Sequence, residues 1–239
     1  MRRLCFSMMI LVMCATTLQA EKKDVTIMTA NGFGLMGTLF LPGKVGPGIL
    51  LLHQCNADRQ IYDTLGTMLS AAGYNVLALD FRGFGGSNNA QYKDLASSRD
   101  KMPADVDAAF SFLSSQGQVN KTMMGVLGGS CGVNQAVQAA RRHPEIKTLV
   151  LLSGGADTDG ETFIKGSAKV PIFGAASEED TSAAASIKKI VSLSTNADSQ
   201  LTMLKGAGHA ASMFEKEPDL VWFRKNLPVS GYAVMPSLK

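Results

Sequence analysis

The 239-residue sequence is poor in cysteine, with four, and has only three histidines. Cys5 and Cys14 fall within the first twenty residues, so a chain cut after that stretch keeps Cys55 and Cys131 alone. Two cysteines do not make the framework of a small disulfide-stapled domain, and the fold must rest on its core. An excess of charge of one sign is also lacking. There are 23 Lys and Arg against 20 Asp and Glu, with no basic patch for nucleic acid and no acidic tail. No linker, internal repeat or low-complexity segment interrupts the chain. What remains is 46% hydrophobic and 18% charged residues, the composition of an ordinary globular protein, at a length suited to one domain.

The N-terminus differs in character from the rest. Arg2 and Arg3 precede an almost wholly apolar run from Leu4 to Ala15, and a short polar stretch then ends in the small residue Ala20. A charged start, a short apolar middle and a small-residue exit describe a secretory signal. The run is too short for a membrane-spanning helix, which needs about twenty residues. Residues 1–20 are therefore expected to be a signal peptide cut after Ala20, and residues 21–239 the exported domain, periplasmic or extracellular. A lipoprotein anchored at Cys14 is the alternative; Met13 argues against it, because a small residue normally stands there. Removing Arg2 and Arg3 leaves the mature chain close to neutral, at about +1. Neither stable membrane insertion of the mature chain nor a nucleic-acid partner is expected.

Val25 to Met28 and Leu35 to Leu41 read as two strands around Asn31-Gly32, a strong hairpin signal. Gly32-Phe33-Gly34-Leu35-Met36-Gly37 matches the spacing of a dinucleotide-binding loop, but that loop must open a helix at once. Thr38, Leu39 and Phe40 instead run on to Pro42, so the motif reads as a turn. Six further apolar runs follow: Ile49 to Leu52, Val76 to Leu79, Met123 to Leu127, Leu149 to Leu152, Pro171 to Ala175 and Leu201 to Leu204. Helical patterns lie between most of them, over Ile61 to Ala72, Pro103 to Ser115, Cys131 to Arg142 and Thr181 to Ser192. A last helix is expected over Ala211 to Lys225. Continuous apolar strands alternating with helices indicate an α/β fold whose mostly parallel sheet, of about eight strands, is covered by helices on both faces.

In such a sheet reactive groups collect at the carboxyl ends of the strands. The run Met123 to Leu127 ends in Gly128-Gly129-Ser130-Cys131-Gly132, directly before a helix. This is G-x-S-x-G in the strand–turn–helix setting of a nucleophile elbow, where a very tight turn demands small residues two before and two after the nucleophile. Gly128 and Gly132 meet that demand for Ser130. The helix that follows would aim its N-terminal amides and dipole at a developing oxyanion.

Here the chain resembles the α/β-hydrolase family over nearly its whole mature length. Gly129-Ser130-Cys131-Gly132 looks like the elbow of the esterase and dienelactone-hydrolase-like branches. Asp80-Phe81-Arg82-Gly83-Phe84-Gly85-Gly86-Ser87 looks like the family's D-x-R-G-x-G-x-S loop. His53-Gln54-Cys55 stands where the family carries its His-Gly-x oxyanion loop, with Gln54 in place of the usual Gly. The resemblance implies the α/β-hydrolase fold and a Ser–Asp–His order of catalytic residues. It also implies an open site without a large cap domain, since only roughly sixteen residues separate the strand ending near Ser153 from the one starting at Val170.

A serine hydroxyl needs a base. His209, in Gly206-Ala207-Gly208-His209 after the last strand, holds the family's position for it. His53 sits where the family uses a structural histidine, and His143 ends the elbow helix and is expected on the surface. Asp180 matches the acid that orients the base. Glu178 and Glu179 are near neighbours, and Asp157, after the preceding strand, is a site some members use. The resemblance assigns the oxyanion hole to the backbone amides of Cys131 and Cys55. Residues gripping one oxygen have close α-carbons, so a Cys55–Cys131 disulfide is within reach of the 4.4 to 6.8 Å that such bonds span. It would fix the oxyanion loop to the elbow; two small, reduced, buried side chains are the alternative.

The expected function is cleavage of a small-molecule, ester-like acyl substrate through an acyl-enzyme on Ser130, without metal or organic cofactor. A dienelactone-hydrolase-like enzyme with Cys131 as nucleophile is a competing register, opposed by the branched Val133 at one of its small positions. A non-catalytic binding protein retaining the fold is the rival from another class.

Overall fold

The structure is a computed structural model that describes residues 20–215 and 220–229. The expected signal segment, apart from Ala20, lies outside the described residues.

Eight strands form one sheet: β1 (Glu21–Met28), β2 (Gly34–Leu41), β3 (Gly46–Leu52), β4 (Asn75–Leu79), β5 (Val119–Gly129), β6 (Ile146–Leu152), β7 (Ile172–Ser177) and β8 (Gln200–Leu204). Their order across the sheet is β1-β2-β4-β3-β5-β6-β7-β8. β1 with β2 and β2 with β4 are antiparallel, and every other neighbouring pair is parallel. Asn31-Gly32 turns the first hairpin, with Gly32 at φ 79° and its N–H bonded to the Thr29 carbonyl at 2.9 Å. No helix follows the Gly32–Gly37 motif, which runs directly into β2.

The central strands are apolar without alternation because both sheet faces are covered. Ile49, Leu50, Leu51 and Leu52 of β3 are all fully buried. One face packs on α3 (Met102–Ser115), α4 (Cys131–Arg142), α5 (Thr158–Gly166) and α6 (Thr181–Leu193); the other packs on α1 (Asp63–Ala71) and α7 (Leu220–Asn226). A short α2 (Leu95–Ser98) lies in the long connection after β4. At roughly 25 cal/mol per Å² of apolar surface removed from water, these two layers are the main source of stability.

The structure departs from the sequence expectations in three places. The segment expected as one helix from Ala211 to Lys225 opens instead as a 3₁₀ stretch over Ala210–Glu215, and among the described residues after it α7 covers Leu220–Asn226. Second, α5 fills part of the β6–β7 connection, started by Asp157, whose side chain accepts the Gly160 N–H at 2.8 Å. That connection otherwise carries no inserted cap. Third, His143 reaches the surface but is not simply solvated. It is half-buried, stacked on Phe110 at 4.0 Å between ring centroids and bonded through Nε2 to Asp107 at 2.7 Å. A helix C-terminus packed against α3 can shelter a side chain that two flanking arginines had suggested was solvated.

Candidate active site

Ser130 occupies the turn between β5 and α4 with φ 53° and ψ −115°, a left-handed conformation that costs a non-glycine residue on the order of 1–3 kcal/mol. Its N–H donates to the Leu152 carbonyl at 2.8 Å, which pins the turn to β6. The glycines two positions either side are required by close approach. A Cβ on Gly128 would collide with the Gly132 carbonyl, and one on Gly132 would sit 2.5 Å from the Leu52 carbonyl oxygen. The elbow is therefore held against β3 on one side and β6 on the other.

Only three non-glycine residues among those described have a positive φ: Ser130, Ser153 at 51° and Ala210 at 48°. They lie at the end of β5, directly after β6, and directly after His209. Strain of this kind persists only where the surroundings over-determine the backbone, and it gathers at functional sites.

Asp180, at the start of α6, and His209, in the loop after β8, are brought together: Asp180 Oδ2 lies 2.5 Å from His209 Nδ1. That contact makes Nδ1 the protonated ring nitrogen and leaves Nε2 free to take a proton. An open cavity of about 550 Å³ is lined by this pair together with Ser177, Glu179, Gly206 and Gly208. Asp157, the other candidate acid, is occupied elsewhere. Besides capping α5 it accepts from Asn134 at 3.1 Å and Gln138 at 2.6 Å. Burial pushes its carboxyl up, but these bonds and the Gly160 N–H prevail and hold it below the usual range.

Glu179 contributes in a way that its sequence position does not reveal. Its Oε2 accepts the Ser177 hydroxyl at 2.5 Å and the Gly206 N–H at 3.0 Å, while Ser177 Oγ accepts the Ala207 N–H at 3.2 Å. The Ser177 bond, then the Gly206 bond, keep the Glu179 carboxyl below its ordinary pKa. Two adjacent loops are thereby stitched together just before His209. Glu178 instead faces Lys205 at 4.0 Å on the surface.

Cys55 and Cys131 are joined by a disulfide, with α-carbons 5.8 Å apart. The backbones of the loop after β3 and of the first turn of α4 thus lie side by side next to Ser130. Cys131 is the first residue of α4, where N–H groups have no partner within the helix, and the helix dipole adds a positive end at that point. With its sulfur in the bridge, Cys131 offers no thiolate, which weighs against it as the nucleophile. The loop is fixed from below by His53, whose Nε2 accepts the Phe81 N–H at 3.0 Å and whose Nδ1 donates to the Gln54 carbonyl at 2.8 Å. His53 is fully buried, and burial is the main cause holding its pKa below the ordinary value.

The D-x-R-G-x-G-x-S loop does structural work beneath the site. Asp80 accepts the Arg59 and Gly86 N–H groups at 2.7 and 2.8 Å. Arg82 is bonded to Asp105 through two nitrogens, at 3.1 and 2.6 Å, and its guanidinium lies against the rings of both Phe33 and Tyr92. No group of three or more His, Cys, Asp or Glu among the described residues is arranged to hold a metal ion.

Residues 44–170, more than half of the chain, match the family model described as serine aminopeptidase, S33. The chain belongs to the α/β-hydrolase family. The matched segment of this hydrolase contains the elbow and stops before Asp180 and His209. An uncharacterized protein of Mycobacterium tuberculosis is 31% identical over 141 residues, 58% of this chain and 48% of its own length. The chain thus spans about half the length of the curated relatives it matches.

Solved structures share the fold of this hydrolase at low identity. The Pyrococcus furiosus esterase Pf2001 is 19% identical with a TM-score of 0.68, covering 92% of this chain and 96% of its own. An esterase domain from a Rhodothermus marinus protein is 20% identical with a TM-score of 0.67, covering 86% and 99%. The dienelactone hydrolase of Anabaena variabilis is 17% identical with a TM-score of 0.66, covering 87% and 99%.

Proposed function

We propose that this hydrolase cleaves small ester-like acyl substrates through an acyl-enzyme, with Ser130 as nucleophile, His209 as base and Asp180 as the residue that orients it. The observation that carries the reading is the strained Ser130 elbow after β5, together with the Asp180–His209 pair in the loops after β7 and β8, all at the carboxyl ends of parallel strands. A backbone that holds one serine in a costly conformation at a helix N-terminus is built to present its hydroxyl.

In the first half-reaction Ser130 Oγ bonds to the acyl carbon while His209 Nε2 takes the hydroxyl proton. The negative charge that develops on the carbonyl oxygen is met by the amides of Cys55 and Cys131. Collapse of the tetrahedral species breaks the acyl–oxygen bond, and His209 returns the proton to the leaving alcohol. Water then repeats the sequence on the acyl-enzyme, releasing the acid and restoring Ser130. Asp180 holds the ring in orientation and stabilises the imidazolium.

The names of the structural neighbours, esterases and a dienelactone hydrolase, favour esters over other acyl compounds. The short β6–β7 connection, with one nine-residue helix and no inserted cap, suits an open site that admits compact substrates. We further place the enzyme outside the cytoplasm after loss of residues 1–20, where oxidising conditions sustain the Cys55–Cys131 bridge. A screen of p-nitrophenyl esters of graded acyl length with the mature protein and its Ser130→Ala variant tests the proposal. Turnover of at least the short esters, lost in Ser130→Ala, is expected; equal rates for the two proteins would overturn it.

A further inference from the structure

We infer that Gln54 is a positioning residue: its carboxamide ties the loop after β3 to the chain directly following His209, and so sets where the base stands relative to Ser130 and the oxyanion amides. The inference rests on the triad reading above. Gln54 stands where the family usually has glycine, which has no side chain to do this. It is 7% exposed, and both ends of its carboxamide are used. Oε1 accepts the Ala211 N–H at 3.1 Å, across 157 positions of sequence, and Nε2 donates to Asn56 Oδ1 at 2.7 Å.

The Ala211 amide needs such a partner. It lies in the first turn of the 3₁₀ stretch Ala210–Glu215, where N–H groups have no acceptor within the turn. It also follows Ala210, whose φ of 48° is unfavourable for a residue with a Cβ. Before His209 the loop carries Gly206 and Gly208 at φ 62° and 75°, conformations that glycine adopts and leaves easily. On that side Glu179, Ser177 and Asp180 hold the loop. On the far side Gln54 supplies the hold, from the same loop whose next residue, Cys55, is bridged to the elbow. Ala210 is packed against the elbow strand, since a Cβ on Gly129 would lie 3.2 Å from Ala210 Cβ. A small displacement of Ala210 is therefore transmitted to His209, and a misplacement of about 1 Å in a catalytic group costs roughly a hundred-fold in rate.

Gln54→Met keeps the length of the side chain and removes both hydrogen bonds; Gln54→Glu keeps an oxygen facing the Ala211 amide. With p-nitrophenyl acetate, Gln54→Met is expected to lower kcat by roughly ten- to a hundred-fold, leaving KM within about two-fold. Its labelling rate with a fluorophosphonate probe should fall in step, and Gln54→Glu should retain more of both rates than Gln54→Met. If the wild-type protein labels at Ser130 and Gln54→Met labels equally fast, the inference falls while the triad reading stands. If the wild-type protein does not label, both fall. Equal losses in the two variants also overturn the inference. Should Gln54→Met not fold, amide-resolved hydrogen exchange of the wild-type protein decides: the Ala211 amide is expected to exchange more slowly than that of Gly208, and equal exchange would overturn the link.

Discussion

Removing the Cys55–Cys131 bridge should destabilise the fold by an amount that the chain length between its ends determines. The two residues are 76 positions apart. Treating the bridge as a constraint on the unfolded chain, closure of a loop of that length corresponds to about 4.5 kcal/mol at 25 °C. For a domain of this size each kcal/mol moves the thermal midpoint by about 2–4 °C, so the expected fall is roughly 9–18 °C. The structure adds a second consequence, because the bridge joins the loop carrying Cys55 to the first residue of α4, beside Ser130. Its loss should lower ester turnover at temperatures well below the new midpoint, where the protein is still folded. The assay is thermal unfolding of the oxidised protein, of the same protein with reductant, and of the double variant Cys55→Ala with Cys131→Ala. Reductant should bring the wild-type midpoint close to that of the double variant and leave the double variant unmoved. A double variant within about 1 °C of the oxidised protein would refute the reasoning. So would uptake of two alkyl groups by the unreduced, denatured protein.

Asp180→Asn should cost up to about ten-thousand-fold in rate, the scale of misorienting a triad histidine, whereas Asp157→Asn should affect mainly the stability of α5; the reverse outcome in steady-state assays would move the acid to the earlier strand. His53 is neutral and buried, with a pKa held below its ordinary value chiefly by desolvation. The folded form thus binds fewer protons than the unfolded one, so its contribution is complete above about pH 6.5 and declines as pH falls from there towards the lower folded value. Thermal midpoints measured between about pH 7 and 5 should fall with a slope that is reduced in His53→Asn, and an unchanged slope would contradict this.

The sheet was legible because its central strands are buried on both faces. Runs such as Ile49 to Leu52 leave no alternative to a covered parallel core, and the glycines around Ser130 mark a strand–turn–helix by steric necessity. The elements that escaped notice are those whose signal is weak or non-local. α5 is short, with only Gly160 and Ile164 buried, and its start depends on the single cap Asp157. The 3₁₀ stretch over Ala210–Glu215 stands at the start of what reads in the sequence as a single helical pattern. His143 reads as solvated beside Arg141 and Arg142 until α3 brings Phe110 and Asp107 against it. Around the site, the loop carrying Ser130 could be found from the spacing of its glycines, and those carrying Asp180 and His209 from the resemblance to the family. The bonds that Gln54 and Glu179 make to backbone amides could not, because nothing in a sequence shows which N–H a distant side chain meets.

The central claim is that Ser130 is an activated nucleophile. Treating the purified mature protein with a fluorophosphonate probe, followed by peptide mapping, tests it most directly, since an ordinary serine hydroxyl does not react at neutral pH. A single adduct on Ser130, absent in Ser130→Ala and strongly slowed in His209→Ala, is the predicted result. No adduct on the folded protein, or labelling of Ser130 that proceeds at full rate in His209→Ala, would contradict it.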